Sequence, residues 1–145
     1  MGTLGIIVAS HGEFAKAALG SANMIVGETK QARALALTVD KSAEQFEEEL
    51  IATYEELKPQ YDNILFICDI YGGTPFNVVS RCLLKGYDMI AYTGLSLPLL
   101  IDVLLINEID RDELDARLKE THAQVLNKIQ VELPTVEEEV DLDEL

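Results

Sequence analysis

The stretch Asn63–Asn77, NILFICDIYGGTPFN, joins a short apolar segment to a glycine-rich turn. Its first part, Asn63–Cys68, is apolar at successive positions, which is typical of a strand covered on both faces of a parallel sheet. Leu4–Ala9 has the same character, and Arg33–Val39 and Tyr87–Thr93 also have the length and composition of strands. Helical patterns separate these segments. The alternation predicts an α/β fold with an open, mostly parallel, doubly wound sheet of order 2-1-3-4 and helices on both faces.

The intervening segments have apolar residues at helical spacing. The first helix is expected to use one face made of Phe14, Ala17, Ala18, Met24 and Ile25. The second is expected to use Ala43, Phe46, Leu50, Tyr54 and Leu57, after a capping box formed by Ser42 and Gln45. A short apolar helix is predicted from about Pro98 to Leu105. A final helix should begin near Asp110 and carry the stripe Leu114, Leu118, Val125 and Ile129.

The chain has 145 residues, of which 48% are hydrophobic, enough for one domain with a single core. We expect that domain to cover residues 1–131, followed by an acidic tail at 132–145 that contains seven acidic and no basic residues. The formal net charge of −15 argues against nucleic acid and anionic membranes as partners, because both require clustered Lys and Arg. No Gly/Ser linker or internal repeat indicates a second domain.

Two further features concern the compartment. The longest uncharged stretch, Met89–Ile101, is shorter than a membrane span requires, and the N-terminus lacks the basic region of an export signal. A cytoplasmic location is therefore expected. Cys68 and Cys82 lie inside apolar runs, which favours buried thiols over a disulfide framework or a metal site.

In an open parallel sheet, ligands bind beyond the carboxyl ends of the strands, where the strand order reverses. For the order 2-1-3-4, this point lies between strands 1 and 3, which end at His11 and Asp69. A carboxylate that holds one nitrogen of a histidine fixes the tautomer and leaves the other nitrogen free as a nucleophile. His11 and Asp69 are therefore the candidate catalytic residues, although a capping role for Asp69 is also open.

The turn Gly72–Pro75 provides the third part of the candidate site. Two glycines allow backbone amides to approach an anion, Thr74 is a good N-cap, and Pro75 suits the first helical position. A helix N-terminus of this kind can bind a phosphate group. Neither a Walker motif nor G-x-G-x-x-G is present, which disfavours a nucleotide. No cofactor is expected.

Other interpretations fit the residues less well. A receiver domain would need an acidic pair after strand 1, where this chain has Ala9, Ser10 and His11. A metal site from His11, Glu13 and Asp69 has few ligands, so none is predicted. The second histidine, His122, lies near the stripe of the last helix and is expected to be structural. The interpretation that gives His11, Asp69 and the turn Gly72–Pro75 a shared role is a phosphoryl group carried on His11.

Four segments, in the same order and at the same separations, resemble the IIA component of the mannose-type sugar phosphotransferase system of bacteria. They are IIVASHGEFA, NMIVGE, LFICDIYGGTPFNVVSR and AYTGLSLPLLID, and the resemblance covers about Leu4–Ile129. It implies that His11 is phosphorylated on Nε2 and that Asp69 holds Nδ1. It also implies a phosphate cradle made of Gly72, Gly73, Thr74 and Phe76. The implied activity is that of a protein-histidine phosphotransferase in a phosphoenolpyruvate-dependent chain.

The resemblance also implies partners. The donor would be the phosphocarrier protein HPr, and the acceptor would be a histidine of a separate IIB component that serves the membrane components IIC and IID. Sugar specificity would reside in those components. A homodimer is expected, in which an antiparallel C-terminal edge strand, Ile129–Leu133, is exchanged between subunits. Two alternatives stay open: the phosphotransfer subunit of a dihydroxyacetone kinase, and a non-enzymatic regulatory module that binds a partner through the same cleft.

Overall fold

The computed structural model describes residues 1–134. These residues contain a single sheet of four parallel strands, and each strand is followed along the chain by at least one helix. In chain order the elements are β1 (Leu4–His11), α1 (Phe14–Val26), β2 (Ala32–Leu37), α2 (Ala43–Leu57), β3 (Asn63–Cys68), α3 (Gly73–Leu84), β4 (Ile90–Thr93), α4 (Leu97–Leu104) and α5 (Arg111–Ala123). The strand order is β2-β1-β3-β4. The predicted α/β class and the predicted order 2-1-3-4 are confirmed.

The sheet separates two hydrophobic clusters. Alternate residues of β1 point to opposite faces, so Ile6 and Val8 pack with α1, α4 and α5, whereas Ile7 and Ala9 pack with α2 and α3. All four side chains are fully buried. Because β1 pairs with both β2 and β3, its apolar residues have neighbours on every side, which explains the continuous apolar run in its sequence.

Two helices are capped by side chains at their starts, and the first of these caps was predicted. The capping box at Ser42 and Gln45 is present, with both reciprocal hydrogen bonds formed. The hydroxyl of Ser96 accepts a hydrogen bond from the backbone N–H of Leu99 and so caps α4. These caps satisfy amide groups that the first helical turn leaves without partners.

Several predicted boundaries are wrong. Strand β4 begins at Ile90 rather than Tyr87, because the N–H of Tyr87 donates to Cys82 O at the end of α3. Met24 and Ile25, expected on the apolar face of α1, are 89% and 62% exposed. Strand β2 runs from Ala32 to Leu37 rather than to Val39, since Thr38 already belongs to a turn.

The last helix is also shorter than its stripe suggests. It ends at Ala123. The N–H groups of Gln124 and Val125 donate hydrogen bonds to the carbonyl oxygens of Thr121 and His122, three residues earlier. Val125 and Ile129 therefore lie beyond α5. Leu114 and Leu118, the first two residues of the stripe, are buried as predicted.

In the single chain, residues 124–134 form no regular element, so the segment Ile129–Leu133 has no strand partner there. Its exchange in a dimer stays a prediction. Most of the predicted acidic tail, 135–145, lies outside the described residues. Within 1–134, no helix is long and apolar enough to cross a bilayer. Cys68 and Cys82 are both buried free thiols, as predicted.

Candidate active site

The carboxyl ends of β1 and β3 bring His11 and Asp69 into direct contact. His11 is the last residue of β1, and Asp69 immediately follows β3. The imidazole Nδ1 lies 2.9 Å from Asp69 Oδ2, and the backbone N–H of His11 donates to the same oxygen at 3.0 Å. The predicted pair is therefore formed, and it is fixed through both the ring and the main chain of His11.

The carboxyl group of Asp69 is largely buried, with its side chain 15% exposed. Burial acts to raise its pKa, but the hydrogen bonds from the ring and backbone N–H of His11 outweigh burial, so the pKa is lowered from the ordinary value. Asp69 is consequently ionised at neutral pH. Its other oxygen, Oδ1, is buried and has no hydrogen-bond partner among the described residues.

An ionised carboxylate only accepts hydrogen bonds, and this determines the tautomer of His11. The proton of the neutral imidazole must lie on Nδ1, facing Asp69 Oδ2. The lone pair is then on Nε2. Because the His11 side chain is 46% exposed, a partner can reach the imidazole ring.

The turn before α3 is built from two glycines in the left-handed region. Gly72 has φ 87° and Gly73 has φ 83°, a conformation that costs other residues about 1–2 kcal/mol. The prediction that Thr74 is the N-cap and Pro75 the first helical residue is wrong, because Gly72 lies at the N-cap and α3 begins at Gly73, two residues before Pro75.

The start of α3 presents its free amides to the cleft. Pro75 carries no N–H, so the donors of the first turn are those of Gly73, Thr74 and Phe76. These groups and the helix dipole favour an anion. The ring of Phe76 does not share this role, because it packs against Tyr71 with ring centroids 4.5 Å apart.

Gly73 lies directly against the imidazole of His11. A Cβ atom at this position would lie 3.0 Å from His11 Cε1 and 3.1 Å from Nε2, closer than ordinary contact. The free nitrogen of His11 therefore faces the N-terminus of α3. The structure brings His11, Asp69 and Gly73 together, with Gly72 and Thr74 on either side of Gly73 in the chain.

Sequence reasoning did not single out Ser10, whose side chain is fully buried. Its hydroxyl accepts a hydrogen bond from the N–H of Ala15 and donates one to Gly12 O. Gly12 has φ 59°, and its N–H donates to Leu37 O of β2. The sequence feature that indicates this hydrogen-bonding role of Ser10 is a polar residue at the end of an apolar strand.

Exposed apolar side chains follow both strands of the site. Phe14 is 51% exposed, Ile70 is 55% exposed and Tyr71 is 81% exposed. The helical pattern placed Phe14 on the apolar face of α1, which its exposure contradicts, whereas Ile70 and Tyr71 had no predicted role. Exposed aromatic and aliphatic groups beside a reachable histidine are typical of a protein-binding surface.

His122 lies elsewhere, in the last turn of α5. It lines a cavity of about 470 Å³ together with Tyr92, Leu118 and Lys119. Within residues 1–134, no group of three His, Cys, Asp or Glu side chains is arranged to hold a metal ion. The glycine turn before α3 lies beside His11, whereas His122 belongs to α5.

The fold and the site define a class: a doubly wound α/β domain with a carboxylate-held histidine at a helix N-terminus. Residues 5–137 match the family model EIIA-man, described as the fructose IIA component of the phosphotransferase system (PTS). The chain is 29% identical to the fructose-specific EIIA component of Bacillus subtilis over 105 residues, covering 72% of this chain and 71% of that protein. It is 32% identical to the mannose-specific EIIAB component of Escherichia coli K12, covering 82% of this chain but 37% of that longer protein.

Solved structures agree. The mannose/sorbose-specific IIA subunit of Enterococcus faecalis superposes with a TM-score of 0.79 at 28% identity, covering 92% of this chain and 99% of that one. The PTS IIA protein associated with the fucose utilization operon of Streptococcus pneumoniae gives a TM-score of 0.73 at 31% identity, covering 82% and 90%. This chain belongs to the mannose-type EIIA family, and it is a phosphocarrier component of a sugar phosphotransferase system.

Proposed function

We propose that this protein accepts a phosphoryl group from phospho-HPr on Nε2 of His11 and passes it to a histidine of a separate IIB component. The observation that carries the proposal is the orientation of His11. Nδ1 is held by Asp69 Oδ2 at 2.9 Å, while Nε2 faces Gly73 at the start of α3. A nucleophile and an anion-binding turn thus share one small space.

In the forward step, the lone pair of Nε2 attacks the phosphorus of the donor's phosphohistidine. The new N–P bond forms as the donor's N–P bond breaks, and the electron pair of the broken bond stays on the donor's nitrogen. The Nδ1 proton of His11 stays in place. His11 then carries positive charge on its ring, which the ionised Asp69 stabilises. Transfer to IIB reverses these roles.

The phosphoryl oxygens need electrostatic support more than covalent help. The N–H groups of Gly73, Thr74 and Phe76 supply it, together with the hydroxyl of Thr74 and the positive end of the α3 dipole. Gly72 contributes the turn that aims these amides. The cradle and the nucleophile are fixed relative to each other because His11 contacts Gly73.

Both partners must reach Nε2, so both use the surface around His11. Phe14, Ile70 and Tyr71 form an exposed apolar rim suited to a protein partner. The membrane components IIC and IID would be served indirectly, through IIB. A cytoplasmic location is part of this proposal, because the donor HPr and the sugar-phosphorylating side of the system lie there.

The proposal is tested by incubating the protein with phosphoenolpyruvate, enzyme I and HPr, and measuring its intact mass at neutral pH. The expected result is a gain of one phosphoryl group that is lost in acid. Subsequent addition of a IIB component should remove it. No gain in mass with an active donor chain would contradict the proposal and favour a regulatory binding module.

We also propose that the protein is a homodimer that exchanges its C-terminal strand. Strand β4 is at the sheet edge, and cavities of about 300 and 470 Å³ flank it, with Tyr92 and Thr93 lining both. In the C-terminal segment Ile129, Val131 and Leu133 are exposed at alternate positions, as in a strand with one apolar face. A second copy of this segment could cover the edge.

Two truncations test the assembly. A chain ending at Pro134 keeps Ile129–Leu133 and should remain a dimer with unchanged phosphotransfer. A chain ending at Lys128 loses the segment and should become a monomer or insoluble. Light scattering on both, with the full chain as control, decides the matter. A monomeric full chain, or a dimer that survives the shorter cut, would refute strand exchange without affecting the chemistry at His11.

A further inference from the structure

Ser10 is fully buried and is the one polar residue in the buried core of residues 1–134. It directly precedes His11 in β1. Because side chains alternate along a strand, the two residues point to opposite faces of the sheet. His11 faces α3, where Gly73 lies, and Ser10 faces the α1 side, as Ile6 and Val8 do. Ser10 therefore contacts neither the imidazole nor a group bound to Nε2.

The Ser10 hydroxyl joins two parts of the turn that carries His11. It accepts a hydrogen bond from the N–H of Ala15 at 2.7 Å, and it donates one to Gly12 O at 3.3 Å. The formal N-cap of α1, Glu13, makes no capping hydrogen bond with its side chain. Ser10 thus performs from the preceding strand the task of an N-cap residue, and it also holds the carbonyl of Gly12, in the second peptide after His11.

We infer that Ser10 is a positioning residue for phosphoryl transfer, which holds the turn after β1 so that Nε2 of His11 stays aligned with the start of α3. The inference rests on the proposed role of His11. Asp69 holds His11 from one side of the sheet, through the ring and the backbone N–H. On the α1 side of the sheet, the Ser10 hydroxyl links the carbonyl of Gly12 to the N–H of Ala15 in the first turn of α1, and the N–H of Gly12 donates to Leu37 O of β2.

Loss of this hydroxyl would leave Gly12 O and the Ala15 N–H without their partner. Both groups lie within four residues of His11, so the turn would gain rotational freedom next to the imidazole. Small displacements of a reacting atom are costly, since about 1 Å of misplacement can reduce a rate about 100-fold. Such a displacement would change the distance between Nε2 and the start of α3, where a Cβ atom added to Gly73 would lie 3.1 Å from Nε2.

The kinetic test compares three variants in rapid-quench transfer from phospho-HPr. Ser10→Ala should slow the transfer about 10-fold, Ser10→Thr should restore it because the hydroxyl returns, and Ser10→Cys should be intermediate because a thiol bonds weakly. Val103→Ala is the matched control, since Val103 is fully buried on the same side of the sheet but belongs to α4. Its rate should equal that of the wild type. If Ser10→Ala does not fold, Ser10→Cys takes its place.

A second measurement does not depend on transfer. The Nδ1 proton of His11 should give a slowly exchanging ¹H–¹⁵N signal in the wild type, in Ser10→Thr and in Val103→Ala, and a broadened one in Ser10→Ala. A wild-type rate together with a wild-type ring signal in Ser10→Ala would overturn the inference. A wild-type protein that accepts no phosphate would refute the proposed function instead, and the ring signal alone would then decide the role of Ser10.

Discussion

The two histidines of this chain occupy sites that differ in almost every physical respect. His11 ends a buried strand, shares its Nδ1 with an ionised carboxylate and directs Nε2 at the start of α3. His122 lies in the last turn of α5, beside a cavity that Tyr92 and Lys119 also line. The same side chain is thus a candidate nucleophile at one position and part of a helix end at the other.

The position at a strand end, rather than the residue type, therefore distinguishes the candidate nucleophile. At the carboxyl edge of a parallel sheet, neighbouring strands deliver groups that converge. His11 and Asp69 are 58 residues apart in sequence, yet they share a hydrogen bond. A helix terminus such as that of α5 brings no second strand, so His122 has no comparable set of neighbours. The following variants test this contrast.

The largest effect is expected from removing each imidazole in turn. His11→Ala should abolish acid-labile phosphorylation, because no other described group replaces Nε2 at the start of α3. His122→Ala should retain it. Intact mass after incubation with phosphoenolpyruvate, enzyme I and HPr distinguishes the two. Loss of the phosphate in the His122 variant with retention in the His11 variant would reverse the assignment.

The next effect concerns the contact between α3 and the ring. Gly73→Ala introduces a methyl group 3.0–3.1 Å from two atoms of His11 and should slow transfer by about 100-fold through displacement of the ring. It should also cost about 1–2 kcal/mol of stability because Gly73 has φ 83°.

Gly86→Ala is the matched control for Gly73→Ala. Gly86 has φ 97°, but a Cβ there would meet no atom within 4 Å. It should show a similar loss of stability in urea denaturation and an unchanged transfer rate. Equal rates for the two alanine variants would mean that the contact with His11 does not matter.

A smaller effect is expected from Asp69→Asn, which keeps the shape but removes the charge. Transfer should slow by about 10- to 100-fold, the usual range for loss of a group that orients a histidine. Rapid-quench rates would measure it. An unchanged rate would remove Asp69 from the mechanism.

The pH dependence of stability tests the same carboxylate. Burial opposes ionisation of Asp69, but its hydrogen bonds with His11 prevail, and its folded pKa lies below the ordinary value of 3.8. Its ionised form therefore stabilises the fold fully above that value, and this contribution is lost as the pH falls through the lower folded pKa. The difference in unfolding free energy between wild type and Asp69→Asn should be constant near neutrality and shrink below pH 3.8. A difference that grows in acid would contradict this sign.

The smallest effect is expected at the cavity beside His122. The hydroxyl of Tyr92 donates to Asp115 Oδ1, and burial together with that carboxylate raises the pKa of Tyr92 to about 12. Tyr92→Phe should lower the Tm by a few degrees and leave phosphotransfer unchanged.

The contribution of Tyr92 has a defined pH window. Because its folded pKa is raised above the ordinary value of 10.0, its stabilising effect should be complete below that pH and disappear as the pH rises towards 12. Thermal melts of the wild type and of Tyr92→Phe across this range would measure it. Slower phosphotransfer in Tyr92→Phe would show that the cavity beside His122 and the site at His11 are coupled.

Much of the fold followed from local patterns. The buried strands β1 and β3 are recognisable because a parallel strand covered on both faces is apolar at every position. Helix α2 was marked by its capping box, which depends only on residues three apart. The boundaries at Tyr87 and Val125 were misplaced because backbone hydrogen bonds of the adjacent helix ends decided them.

The sequence by itself determined the class of fold, the strand order and the pair His11 and Asp69, because strand periodicity and the chemistry of strand ends are local properties. Tertiary structure alone decided the contact of Gly73 with the imidazole and the double hydrogen bond of Ser10. It also decided that Met24 and Ile25 are exposed. Contacts of this kind depend on how separate elements pack, and neither spacing nor composition along one segment encodes the distance to another.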